Sequence, residues 1–139
     1  HIGDLSGLAS GLQEQVRASV ELTKSNRGLI LNVALNYGGR AEIVRAIRRL
    51  MDAGVPSREV TEEVIGRYLD TAGLPDPDLI IRTAGEQRLS NYLIWQAAYS
   101  EYWSTPVLWP DFGREELSQA LAAYAQRHRK FGRVKVDKG

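Results

Sequence analysis

The 139-residue chain carries 18 Lys and Arg against 17 Asp and Glu, a formal net charge of +1, and that balance gives no basis for bulk nucleic-acid binding. It has no cysteine and only two histidines, which excludes disulfides and thiolate chemistry and leaves little scope for zinc, so any metal is expected to be a hard cation on carboxylates. No apolar stretch approaches the ~20 residues of a membrane span and the start lacks a basic-then-apolar leader pattern, so residues 1–139 are expected to form a soluble, cytoplasmic single domain or part of one.

Along the chain, Leu8, Leu12, Val16 and Val20 recur at helical spacing and predict a helix from Leu8 to Lys24, stopped by Asn26-Arg27-Gly28. Leu29 to Leu35 is short and apolar and reads as a buried strand running into the turn Asn36-Tyr37-Gly38-Gly39. Ile43, Ile47, Leu50 and Met51 form the next helical face, which ends at Gly54. Ser57 is read as the cap of a further helix carrying Val60, Val64 and Tyr68, closed by Pro75 and Pro77 before a strand at Leu79 to Ile81. Tyr92, Trp95, Tyr99 and Trp103 fall at i, i+3, i+7 and i+11, the spacing of one helical face, and read as core or subunit interface. The last helix starts near Arg114, with Leu117, Leu121, Tyr124 and His128 on one face. Strands alternating with helices in this order predict an α/β fold, a parallel sheet flanked by helices.

In such folds ligands sit beyond the carboxyl ends of strands, where helix N-termini favour anions. Two loops occupy such ends. Asn36 to Arg40 follows one predicted strand, with Arg40 at the start of the next helix, and its plainer reading is a tight turn with a surface arginine. Arg82 to Asn91 follows the other and offers two guanidinium groups six residues apart, at Arg82 and Arg88, with the Ser90 hydroxyl two residues later. Arginine's planar fork binds phosphate oxygens bidentately and stays charged at any working pH, so this loop reads as a diphosphate grip. The competing reading is a solvated loop in which Arg82 and Arg88 pair with Glu86. Neither loop carries a dinucleotide or P-loop glycine pattern.

The run RTAGEQRLSNYLIWQAAYSEYW, followed by VLWPDF and preceded by ALNYGGRAEIV, closely resembles the cis-prenyltransferase family, whose best-known members are undecaprenyl diphosphate synthases. The resemblance extends from Ile2-Gly3-Asp4 through Lys130-Phe131-Gly132. It implies condensation of isopentenyl diphosphate with an allylic diphosphate, giving a new cis double bond and releasing diphosphate with the help of Mg²⁺. By the same resemblance, Arg82, Arg88 and Ser90 match the anchor for isopentenyl diphosphate, with Arg82 also counted among the catalytic residues. Glu101 matches a carboxylate that organises metal and substrate. Glu86 and Asp111 fall within family motifs without a definite step, and Arg40 belongs to the glycine-containing motif. A homodimer is implied, with a C-terminal arginine-any-glycine triplet reaching the active site of the other subunit. Here that triplet begins with Lys130, which lacks the bidentate fork. A lipid product implies peripheral membrane contact.

One family motif is absent: the aspartate-bearing pattern M-D-G-N-G-R-W-A near which the allylic diphosphate binds. The expectation is therefore a C-terminal portion that supplies the isopentenyl diphosphate site, incomplete and inactive alone, and completed by an N-terminal segment or a complementing chain. The alternative is a non-catalytic partner subunit of a heteromeric enzyme. A trans-prenyl synthase is disfavoured, because Asp76-Pro77-Asp78 lacks the spacing of its aspartate-rich motifs.

Overall fold

The computed structural model describes residues 1–127. The readings at His128, Lys130, Phe131 and Gly132 lie outside the described residues. The chain divides into two compact units, His1–Pro75 with Asn91–Ile94, and Asp76–Ser90 with the described part of Trp95–Gly139.

In the first unit, helix α1 (Ser10–Thr23) buries no residue, whereas α2 (Gly39–Asp52) buries Glu42, Ala46 and Leu50 at intervals of four along one face. These pack with Ile2, Leu69 and Leu93 as the unit's core, and burying each large aliphatic chain contributes roughly 1.5–3 kcal/mol. The stop at Gly54 holds: α2 ends at Asp52, and Gly54 has a φ of 69°, a conformation that costs glycine little.

Two expectations fail here. Residues 29–33 form no strand; Leu29, Ile30 and Leu31 are 93%, 68% and 77% exposed, and only Ala34 pairs, in parallel, with Ile2. Among the described residues Ile2 alone is available as a partner, and a strand cannot be built on one residue of ladder. Ser57 begins a single 3₁₀ turn instead of capping a helix. The cap is Thr61, whose hydroxyl accepts from the Val64 N–H at 3.2 Å and starts the five-residue α3 (Glu62–Gly66). Glu62 and Glu63 then suit the positive end of α3, and Tyr68 lies beyond it.

In the second unit, β1 (Leu79–Arg82) and β2 (Glu101–Ser104) pair in parallel. Helix α4 (Arg114–Ala125) follows, its start tied by the Glu116 carboxylate accepting from the Gly113 N–H at 2.9 Å, and it buries Ala120. The fold is thus α/β, with a parallel sheet and helices. The aromatic stripe is not helical. Gln96–Tyr99 is a 3₁₀ turn and Trp103 lies in β2, because backbone at positive φ at Ser90, Asn91 and Leu93 breaks the helix early and the Tyr102-Trp103 pair favours a pleated strand. No helix among the described residues is long and apolar enough to cross a membrane.

Candidate functional site

The register pairs Ile80 with Tyr102 and Arg82 with Ser104, so these four side chains share one face of the two-stranded sheet. Leu79, Ile81, Glu101 and Trp103 take the other. Arg82 is the last residue of β1, at the carboxyl end of a parallel strand. It lines a cavity of about 270 Å³ together with Glu86, Gln87, Tyr102, Trp103 and Ser104. Its guanidinium is half-buried and makes no hydrogen bond or ion pair among the described residues.

The loop that follows is held open by backbone bonds. Thr105 N–H donates to Arg82 O at 2.9 Å, Ala84 N–H to Val107 O at 2.8 Å and Gly85 N–H to Thr105 O at 2.8 Å. These bonds fix Ala84 at a φ of 59°, a left-handed conformation that costs a residue with a Cβ about 1 kcal/mol. Such strain is retained where surrounding structure over-determines it, most often at functional sites. Arg88 pairs with Glu86 in the loop, and its side chain is 69% exposed. An exposed pair of this kind is worth up to ~1 kcal/mol, so a phosphate can displace it at little cost. The Glu86 Oε2 that faces Arg88 is shielded from solvent without hydrogen-bond geometry. The contact is therefore an ion pair, not a directed bond. Ser90 is exposed, and its hydroxyl has no partner among the described residues.

Of the residues singled out in the sequence, Arg82 and Glu86 share the cavity, and Arg88 adjoins it through Glu86. Ser90, Glu101 and Asp111 do not line it. Glu101 sits on the opposite sheet face, where Arg127 donates to its carboxylate at 2.5 Å and to the Tyr102 carbonyl at 2.6 Å. Asp111 is exposed in the 3₁₀ turn Trp109–Asp111. Arg40 belongs to the first unit, in the first turn of α2. No group of three metal-ligating side chains occurs among the described residues. The described residues form no dedicated metal cage, and Glu101, the carboxylate singled out for Mg²⁺ in the sequence, is paired with Arg127 on the sheet face away from Arg82.

Three positions escaped the sequence reading. Asn91 holds the start of α2: its carbonyl accepts from Gly39 N–H at 2.7 Å and its Oδ1 from Arg40 N–H at 2.9 Å. A Cβ at Gly39 would lie 2.7 Å from Ile94 Cγ1, which explains the glycine. Glu42, wholly buried, accepts from the Tyr37 hydroxyl at 2.5 Å and from Asp70 N–H at 2.9 Å. Asp70 in turn accepts from Arg45 at 2.6 Å, Arg49 at 3.0 Å and Gly3 N–H at 3.1 Å. The signal for Glu42 was present: a carboxylate in step with Ala46 and Leu50 on the apolar face of α2. The third position, Tyr102, carries a shielded hydroxyl without a hydrogen-bond partner among the described residues.

With Arg82 at the carboxyl end of a parallel strand and without a hydrogen-bond or ion-pair partner among the described residues, the chain is an α/β protein. Comparison with known proteins narrows the class. The family model described as "Putative undecaprenyl diphosphate synthase" matches residues 1–132, and the chain belongs to this prenyltransferase family. It is 52% identical over 141 aligned residues to an isoprenyl transferase of Streptococcus pyogenes serotype M6, covering 96% of this chain and 57% of that protein. An isoprenyl transferase of Heliobacterium mobile is 50% identical, with 97% of this chain and 54% of the relative covered. Among solved structures, lavandulyl diphosphate synthase from Lavandula x intermedia, in complex with dimethylallyl diphosphate, superposes with a TM-score of 0.89 at 40% identity, covering 95% of this chain and 58% of that one. A probable undecaprenyl diphosphate synthase from Campylobacter jejuni gives a TM-score of 0.84 at 34% identity, covering 95% and 61%. The chain therefore spans somewhat over half the length of these relatives.

Proposed function

We propose that this chain supplies the isopentenyl diphosphate site of a cis-prenyltransferase, which joins that substrate to an allylic diphosphate and forms a cis-polyprenyl diphosphate. The observation that carries this reading is the unpaired Arg82 guanidinium opening on a cavity at the end of β1, in a chain of the undecaprenyl diphosphate synthase family. A half-buried cation without a partner among the described residues calls for an anion, and a diphosphate oxygen fills that role.

Isopentenyl diphosphate keeps its diphosphate through the condensation. An anchor at Arg82, joined by Arg88 once it exchanges Glu86 for phosphate and by the free Ser90 hydroxyl, holds the alkene in place and converts binding into orientation. Glu86 then marks the resting partner of Arg88. Asp111 and Arg40 belong to the same motifs without an assigned step. Glu101, once released from Arg127, would be the carboxylate that this chain offers to Mg²⁺, beside substrate phosphates and the aspartate of the motif it lacks, and the ion would stabilise the departing diphosphate. The reaction is placed in the cytoplasm, by a homodimer whose lipid product brings it to a membrane surface.

The exposed run Leu29-Ile30-Leu31 suits pairing with further polypeptide. The relatives carry additional length, and we assign this edge to a strand from that part of the enzyme, on the same or a complementing chain. A non-catalytic partner would have no use for an unpaired Arg82. Calorimetric titration with isopentenyl diphosphate tests the reading: Arg88→Ala should weaken binding about 10- to 100-fold, the worth of one charge-assisted contact. Unchanged affinity removes Arg88 from the anchor, and equal affinity for inorganic phosphate points to a generic anion module instead.

A further inference from the structure

The Tyr102 side chain is anomalous. Its hydroxyl is shielded from solvent and has no hydrogen-bond partner among the described residues, a situation that folded proteins avoid because a buried O–H loses its bond to water and gains nothing. Phenylalanine would fill the same space without that cost. The position is not arbitrary. Tyr102 pairs with Ile80 in the register, which places it on the same sheet face as Arg82 and diagonal to it, and both residues line the one cavity.

We propose that the Tyr102 hydroxyl is a further diphosphate-binding donor, acting beside Arg82. This rests on the reading of the cavity as a diphosphate site and adds a contact to it. Glu86 and Gln87 wall the same cavity, and displacement of these two loop side chains as the anion seats on Arg82 brings a phosphate oxygen to the phenol. Burial raises the Tyr102 pKa above its ordinary value of 10.0, with the positive charge of Arg82 opposing the shift. The group is therefore protonated at neutral pH and donates. No proton is transferred; the O–H···O contact forms on binding and breaks on release.

The test combines two readouts on three proteins: unaltered, Tyr102→Phe and Arg82→Ala. Affinities for isopentenyl diphosphate and for inorganic pyrophosphate are measured by calorimetry, and the thermal midpoint of the ligand-free protein by circular dichroism. Tyr102→Phe should weaken both ligands about tenfold, as loss of a hydrogen bond to a charged group does. It should leave the ligand-free midpoint unchanged or raise it, because the hydroxyl has nothing to lose in the free protein. A structural tyrosine behaves in the opposite way, with a lower midpoint and unaltered affinity, and that result overturns the proposal. If Tyr102→Phe binds normally while Arg82→Ala is impaired, the tyrosine has no role and the arginine site stands. If neither substitution changes binding, the diphosphate reading of the cavity fails with it. Tyr102→Leu serves as a second variant and should show the same loss of affinity.

Discussion

Glu42 shows how a single buried carboxylate organises the first unit. It accepts from the Tyr37 hydroxyl and the Asp70 N–H in a site with no exposure. Glu42→Ala leaves those donors shielded and unsatisfied and opens space on the core face of α2. It should cost about 2–5 kcal/mol in urea unfolding. A loss under about 1 kcal/mol would mean the network contributes little. Tyr37 adds a pH signature. Burial first, and then the Glu42 hydrogen bond, push its phenol above the ordinary value of 10.0. A raised pKa means the folded state keeps the proton when the unfolded chain has begun to lose it. The stability it contributes is therefore fully present below pH 10 and declines as pH rises beyond it. Alkaline unfolding profiles of the unaltered protein should show this decline and Tyr37→Phe should reduce it; identical profiles would contradict the assignment.

The helix α2 starts without a capping side chain of its own, because Gly38 precedes it. Asn91 provides the cap from outside, with its backbone at a φ of 60°. Asn91→Gly keeps that conformation and loses only the Oδ1 acceptor, whereas Asn91→Ala loses the acceptor and is strained besides. The expected costs are roughly 0.5–1 kcal/mol for glycine and about 1 kcal/mol more for alanine. Hydrogen exchange at the Arg40 amide should quicken in both, and equal stability of the two variants would dispute the left-handed geometry.

Sequence reading captured the elements that carry their own local code. The face of α2 around Ala46 and Leu50, the Leu79–Ile81 strand and the Arg114 helix start all combine a clear period with a stop or start signal. It failed where long-range partners decide. Leu29 to Leu35 has the composition of a buried strand, but composition cannot supply neighbours, and only Ile2 pairs with it. The aromatic residues at 92, 95, 99 and 103 have helical spacing, yet pairing with β1 draws Tyr102 and Trp103 into a strand. The loop carrying Arg82, Arg88 and Ser90 stands out in the sequence by its residue types, and the structure brings Arg82 of that set to the cavity at the end of β1. That Glu101 faces away from Arg82 depends on register, and the silent hydroxyl of Tyr102 depends on packing; neither is written in the one-dimensional pattern.

Among the described residues, the buried apolar set is small, while Leu29, Ile30, Leu31, Met51, Leu108 and Trp109 all lie more than half exposed. In the proposed enzyme, the run Leu29-Ile30-Leu31 is the place assigned to further polypeptide. Ile30→Lys with Leu31→Lys should leave the unfolding free energy of the 139-residue chain within about 0.5 kcal/mol, because both side chains already face solvent. The pair should nevertheless weaken association with the part of the Streptococcus pyogenes relative that this chain does not match, supplied as a separate polypeptide. Unaltered association in a pull-down with purified components would place that contact elsewhere.

In the proposed enzyme, Arg82 seats the diphosphate of isopentenyl diphosphate. Titration of that substrate into the unaltered protein and into Arg82→Ala tests it most directly. Loss of a half-buried guanidinium should weaken binding at least about 10- to 100-fold while the protein stays folded by circular dichroism. Equal dissociation constants for the two folded proteins would contradict the account.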